Sequence, residues 1–428
     1  MTVAANTSYT LTAYVNGAYV YLGVTGAATT NTWTPTTNGT YTQLTTTFTT
    51  NTTTTLTIYL HGWYAQGTYY ADDITLNGPT GTPTPTPTTH SPTPTPTPTH
   101  SPTPSPTSPP PTSPPPTTPP PTSPPPNNGP LPRHELTGYW QDFTNAAKPL
   151  RLSDVPTSYD LVDVAFANAD PALGGGVTFA VDPTLSTALG GYSDANFRSD
   201  LATLQARGQH VVLSVGGEKG SISVGSSAAA TNFATSMYAI IASYGFDGVD
   251  IDLENGINPT YMAQALRSLS TRVGSNLIIT LAPQTIDMQS TGGSYFQLAL
   301  SIKDILTVVQ TQFYNSGSML GCDQMFAYGS GTENFLTALA CIQLQSALRP
   351  DQVALGVPAS SPAGAGYLAP ATVNAAVDCL ARGTGCGTFV PPSTWPTIRG
   401  VMTWSINWDA SSGYAFANAV KPHLATLP

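Results

Sequence analysis

From residue 82 to about residue 130 the chain is almost entirely Pro, Thr and Ser, in Pro-Thr and Ser-Pro-Pro-Pro repeats. Such a run has little apolar surface to bury, and its prolines lack the N–H groups a sheet needs, so it can join no core. It divides the chain into residues 1–79, a disordered linker at 80–132, and residues 133–428. Each flank must therefore build a core of its own. At ~3.1 Å per residue the linker can reach about 150 Å. A tether of that reach concentrates whatever it carries over a surface.

The 428 residues carry a formal net charge of -10 and a pI near 4.8, which argues against nucleic acid as a partner. Only 8% of residues are charged, while Thr, Ser, Pro, Gly and Tyr abound. That composition suits an extracellular protein that grips an uncharged polymer through aromatic faces and hydroxyls. No apolar run approaches membrane-spanning length, so a membrane is not an expected partner. The chain opens Met1-Thr2-Val3-Ala4-Ala5-Asn6, without the basic and apolar regions of a leader, so the expectation is either that the numbering begins after a missing leader or that the true start lies elsewhere. The four cysteines, Cys322, Cys341, Cys379 and Cys386, form no Cys-x-x-Cys pair and so favour disulfides over zinc. Joining Cys379 to Cys386 leaves Cys322 with Cys341, one of three possible pairings.

Residues 1–79 read as part of a small antiparallel β-sandwich. Period-two segments fall at 9–15, 19–22, 41–44 and 55–60. Tyr19, Tyr21, Trp33, Trp63, Tyr64, Tyr69 and Tyr70 are candidate exposed aromatics, and Tyr59 is expected in the core. Trp63 and Tyr64, between Gly62 and Gly67, look like a loop platform for stacking on sugar rings.

After about residue 133 strands alternate with helices. Strands are expected at 137–143, 161–167, 211–216, 248–254, 277–283, 308–314, 353–357 and 400–407, and helices at 228–244, 260–273 and 333–348. Eight strands in roughly 295 residues predict an α/β fold of the (β/α)8 (TIM) barrel type, with its site at the C-terminal strand ends.

The fourth of these strands carries the chemistry. In Asp247-Gly248-Val249-Asp250-Ile251-Asp252-Leu253-Glu254, strand alternation points Asp250, Asp252 and Glu254 one way and the apolar residues the other. Stacked carboxylates repel, so at least one stays protonated near neutral pH, as a general acid must. Asp247 is out of phase and reads as structural. A calcium loop would need a turn where this run has apolar residues, so no metal is expected.

Residues 134–428 resemble glycoside hydrolase family 18, the chitinases. The resemblance rests on Asp247-x-x-Asp250-x-Asp252-x-Glu254, on Ser214-Val215-Gly216-Gly217, on Gln312-Phe313-Tyr314-Asn315, and on Trp404 in the last strand. It implies substrate-assisted hydrolysis: the acetamido oxygen of the sugar attacks the anomeric carbon, and Glu254 protonates the leaving oxygen and then activates water. Asp252 would orient the acetamido group, sharing a proton with Asp250, and Tyr314 would hydrogen-bond that group with support from Gln312. Trp404 would floor the cleavage site, Tyr139 would line its rim, and Asn315 would contact substrate. Ser214 and the two glycines would pack structurally behind the acids. Asp287 and Asp409 are candidates for substrate contact only. The Gln-x-Tyr-Asn strand resembles the short plant-type and bacterial branch, and about 40 residues between the last two strands leave no room for a cleft-deepening insertion.

The N-terminal segment resembles carbohydrate-binding modules attached to actinobacterial-type chitinases, through 9–13, His61-Gly62-Trp63-Tyr64 and 69–74, with its first strands missing. Asp72-Asp73 resembles the calcium end of such sandwiches. The combined expectation is a secreted, retaining endochitinase acting on chitin or chitooligosaccharides as a monomer without cofactor. The rival readings are an endo-β-N-acetylglucosaminidase on N-glycans and a non-catalytic chitin-binding lectin.

Overall fold

Alternating apolar and hydroxyl residues at the start of the chain are realised as six antiparallel strands in two sheets. They are β1 (Ser8–Asn16), β2 (Val20–Gly26), β3 (Thr30–Thr34), β4 (Thr42–Thr49), β5 (Leu56–His61) and β6 (Tyr70–Asn77). The computed structural model describes residues 2–78, except 29, 36, 38–39, 53 and 63–68, together with residues 129–428. The expected linker and the expected platform residues Trp63 and Tyr64 thus lie outside the described residues. The chain divides into two units, 1–114 and 115–428.

In the first unit the strand orders are β4-β1-β6 and β3-β2-β5. Leu11, Ala13, Val15, Val20, Leu22, Val24, Leu44, Phe48 and Leu56 form the core, with Ile58 and Leu60 packed against it. Because Leu56, Ile58 and Leu60 face inward, Tyr59 belongs to the outer face of its sheet and not, as expected, to the core. Strand β6 is exposed along nearly its whole length, and Ile74 is 48% exposed.

The second unit is a closed barrel of eight parallel strands. These are β7 (Glu135–Gln141), β8 (Leu161–Ala169), β9 (His210–Gly216), β10 (Gly248–Asp252), β11 (Ile278–Leu281), β12 (Val308–Gln312), β13 (Val353–Pro358) and β14 (Gly400–Trp404). Each pairs with the next, and β14 pairs with β7 to close the ring. Val162, Val164, Leu213, Val249, Ile251, Ile279, Leu281, Val309 and Leu355 face outward into the layer shared with the helices. The inward positions include fully buried polar side chains, Thr137, Asp163, Ser214, Asp250, Thr280 and Gln310, alongside the apolar Leu161, Val212, Ile278 and Met402.

Local signals place the helices between strands. Ser226 caps the helix Ser227–Tyr244, and Gly245 ends it in the left-handed conformation. Asn258 and Pro259 start the helix Pro259–Val273. Four strands, β10, β11, β12 and β14, are shorter than expected. Strand β10 stops at Asp252, leaving Glu254 in the following turn. Strand β14 stops at Trp404, because Ser405 caps a helix over Ile406–Ser411.

Two disulfides, Cys322–Cys341 and Cys379–Cys386, match the expected pairing. Cys341 sits on the buried helix Glu333–Gln345, and Cys322 lies between the two short strands Met319–Leu320 and Ala327–Tyr328, so the bridge ties that hairpin to the helix. With a separation of 19 residues, the bridge should contribute about 3 kcal/mol by restricting the unfolded chain. A double variant, Cys322→Ser with Cys341→Ser, should lose that amount in urea denaturation. An unchanged midpoint would mean that packing alone holds the hairpin.

Candidate active site

Three strands aim hydroxyls at one carboxylate. Tyr139 on β7 and Ser214 on β9 each donate to Asp250 Oδ2 at 2.6 Å, and Thr280 on β11 donates to Oδ1 at 2.6 Å. Burial pushes the Asp250 carboxyl above its usual range, while the three hydroxyls oppose that push by stabilising the charge. Tyr139 is therefore beneath the acids, 1% exposed, and not at the rim where it was expected. Its inward parity on β7 puts its hydroxyl under Asp250, and burial beside several carboxylates keeps it protonated as a donor.

Asp252, two residues on, points the same way and accepts from Gln312 Nε2 at 2.8 Å. Burial, then the charges of Glu254 and Asp250, hold its carboxyl well above the usual range. The chain then turns, and Glu254 reaches the barrel mouth partly exposed. Burial also raises the Glu254 carboxyl, opposed by Gln312, which lies 3.5 Å from Oε1, and by Gln284, 3.4 Å from Oε2. Gln312 thus spans both upper carboxyls, and its Nε2 also donates to the Ala282 carbonyl at 3.0 Å.

The turn carrying Glu254 is fastened from two sides. Leu253 N–H donates to the Tyr295 hydroxyl at 2.6 Å, and Gly217 N–H donates to the Asp252 carbonyl at 2.7 Å. Gly216 has φ +133°, and a Cβ there would lie 2.1 Å from the Asp252 carbonyl oxygen. Only glycine lets β9 come this close to the acid-bearing strand.

Tyr314 is buried just past β12, where the charges of Asp252, Glu254 and Asp250 add to burial in keeping its hydroxyl protonated. Beside the acids lies an aromatic floor. Trp404 stacks on Phe166 at 6.1 Å and on Phe143 at 6.4 Å, with Tyr139 tilted against it at 5.4 Å. Simple alternation would turn Phe166 outward with Val162 and Val164. A register shift opposite Ser214 and Val215 reverses it, a bulge with no mark in the sequence.

Other expected residues lie outside the acid stack. Asn315 accepts from Ala365 N–H at 2.8 Å and braces the loop after β13. Asp409 is buried, accepting from the Tyr159 hydroxyl at 2.7 Å and from the Phe416 and Ala417 N–H groups, so it cannot touch substrate. Asp247 accepts from Val211 N–H at 2.8 Å and Gln205 Nε2 at 3.1 Å. Asp287, pushed up to about 7 by burial, lies within reach of the Glu254 charge. The residues missed were Thr280, Gln284, Tyr295, Phe143 and Phe166. Thr280 alone was readable, as the one hydroxyl within the apolar strand Ile278–Leu281.

Residues 135–421 match the family described as Glycosyl hydrolases family 18. Exochitinase 1 of Streptomyces olivaceoviridis is 34% identical over an alignment that covers 97% of this chain and 85% of that protein. Chitinase Chi52 of Paenibacillus xylanexedens is 36% identical over 70% of this chain, which spans 63% of that longer protein. Among solved structures, a Streptomyces coelicolor protein provisionally assigned as Chitinase A is 58% identical, with a TM-score of 0.67 over 69% of this chain and 99% of that one. A family GH18 chitinase from Chromobacterium violaceum is 33% identical, with a TM-score of 0.62 over 70% of this chain and 86% of that one.

Gln312 offers a test of the site's electrostatics. Gln312→Leu removes the N–H that favours the ionised forms of Asp252 and Glu254, so Glu254 should lose its proton at higher pH. The alkaline limb of the kcat/KM profile should move upward, and kcat should fall by about 10²-fold. A limb that stays in place would mean that Gln312 acts through packing alone.

Proposed function

From the premise that the chain belongs to the glycosyl hydrolases of family 18 and is a chitinase, we propose that it is a secreted endochitinase that cleaves with retention through the substrate's own acetamido group. The observation that carries this reading is the graded acid stack. Asp250 is held by three hydroxyls, Asp252 by one amide, and Glu254 stands at the mouth with its carboxyl raised.

In this mechanism the acetamido oxygen attacks the anomeric carbon as the glycosidic C–O bond breaks. The leaving oxygen takes the Glu254 proton, and an oxazolinium ion forms. Asp252 orients the acetamido N–H and offsets the positive charge, while Tyr314 donates to the acetamido oxygen. Glu254, now ionised, takes a proton from water as that water attacks the same carbon, and the product keeps its configuration. Asp250 steadies Asp252 from below. Its three hydroxyl donors favour an ionised Asp250, so Asp250 can take the proton of Asp252 as the oxazolinium forms and leave Asp252 charged. Trp404, with Phe143 and Phe166, forms the apolar floor under the sugar.

Endo cleavage is supported by the short connection from β13 to β14, which holds a turn, the helix Pro370–Arg382 and the Cys379–Cys386 loop. A groove left open by so short a connection admits a chain at any point along its length. Two disulfides support action outside the cell. Among the described residues no helix is long and apolar enough to cross a membrane. A lectin would have no use for Glu254 beside Asp252, and a glycoprotein-directed enzyme none for a long surface tether.

Glu254→Gln should lower kcat by at least about two orders of magnitude with oligosaccharide binding retained. Near-normal turnover would remove Glu254 from its role. Fully deacetylated chitosan should resist cleavage, and its efficient hydrolysis would sink the internal-nucleophile mechanism. Proton NMR of a chitin hexasaccharide in the first minutes should show β-anomeric new ends from internal cuts. Fresh α-anomer would rule out retention, and release only from chain ends would rule out endo action.

A further inference from the structure

The first unit carries an aromatic strip on the outer face of the β3-β2-β5 sheet. Val20, Leu22 and Val24 point into the core, so Tyr21 and Gly23 face out. Cross-strand register sets Trp33 beside Tyr21 and Tyr59 beside Gly23. Trp33 is stacked with both Tyr19 and Tyr21, at 6.0 Å from each and at 25° and 22° to their planes. It remains 49% exposed. Gly23 lets the fourth ring join the row: a Cβ there would lie 2.4 Å from the Tyr59 hydroxyl oxygen, so the Tyr59 ring reaches across β2 where any side chain would block it.

The surroundings of the strip are neutral. Thr25, Asn31 and Thr57 share the face by strand parity, and residues 1–78 contain no Lys, Arg or Glu. Their two carboxylates, Asp72 and Asp73, are on β6 of the other sheet. An exposed apolar face of this kind marks a contact surface. Without cations it suits neither nucleic acid nor an anionic membrane. Sugar rings fit it well, because their C–H faces stack on aromatic rings while their hydroxyls meet Thr, Asn and Tyr hydroxyls.

We propose that the row Tyr19, Trp33, Tyr21 and Tyr59 is the surface by which the first unit docks on a neutral polysaccharide chain, and that this polymer is chitin. The sheet face, and not the pair Trp63 and Tyr64 expected from the sequence, supplies the aromatic platform. The choice of chitin rests on the chitinase reading of the second unit; the docking face itself does not.

The test is depletion of the full-length protein from solution by insoluble chitin, comparing wild type, Trp33→Ala and Trp33→Tyr, with hydrolysis of a soluble chitin hexasaccharide measured in parallel. Trp33→Ala should weaken retention about tenfold while soluble turnover stays unchanged, and Trp33→Tyr should restore most of the loss. Equal retention of wild type and Trp33→Ala by an active enzyme would overturn the docking face and leave the chitinase reading intact. Equal loss in Trp33→Ala and Trp33→Tyr would also overturn it, since tyrosine keeps a ring at that place. Trp33-dependent retention by a protein that cleaves no hexasaccharide would uphold the face and sink the chitinase reading instead.

Discussion

The carboxylate of Asp250 is fully buried, with no cation beside it among its hydrogen-bond partners, and the barrel is organised around making that tolerable. Burying such a group in its charged form is among the costliest things a fold can do, and burial accordingly pushes the Asp250 carboxyl above its usual range. Here three hydroxyls from three strands, Tyr139, Ser214 and Thr280, supply the missing solvation. Each comes from an inward position of its strand, so the relative stagger of β7, β9, β10 and β11 must be right for all three to meet. The same contacts that make the acid tolerable also pin the register of the barrel on that side.

Above this anchor the site becomes steadily more open. Asp252 has one amide donor, and Glu254 has two longer contacts and a partly exposed carboxyl. The gradient separates the acids chemically although they share one short sequence. Position past the strand end leaves Glu254 partly exposed at the barrel mouth, whereas Asp250 is fully buried. Gly216 and Tyr295 hold the turn that makes this step, one by leaving room and the other by receiving the Leu253 N–H.

Much of this was legible from the chain. Eight apolar runs separated by helix signals predicted the barrel, and the observed strands fall within a few residues of the expected ones. Parity placed Asp250 and Asp252 on one inward face and set Asp247 apart. Reading failed where local alternation is broken or silent. The bulge on β8 turns Phe166 toward Trp404. The cap at Ser405 cuts β14 short, and inward parity put Tyr139 below the acids when a tyrosine near a strand end had been assigned to the rim. Tyr59 was placed in the core by residue type, although the neighbouring Leu56, Ile58 and Leu60 already claimed that side.

By itself the sequence determined the alternation of elements and the acid stack with its order. Those are properties of neighbouring residues, set by backbone geometry with a short period. Only the tertiary structure decided which hydroxyls reach Asp250, which amide spans Asp252 and Glu254, and which rings lie beside Trp404. These partners are brought together by strand stagger and by one bulge. Contacts between residues more than a hundred positions apart, such as Tyr139 with Asp250, depend on how the whole barrel closes, and no local pattern encodes that closure.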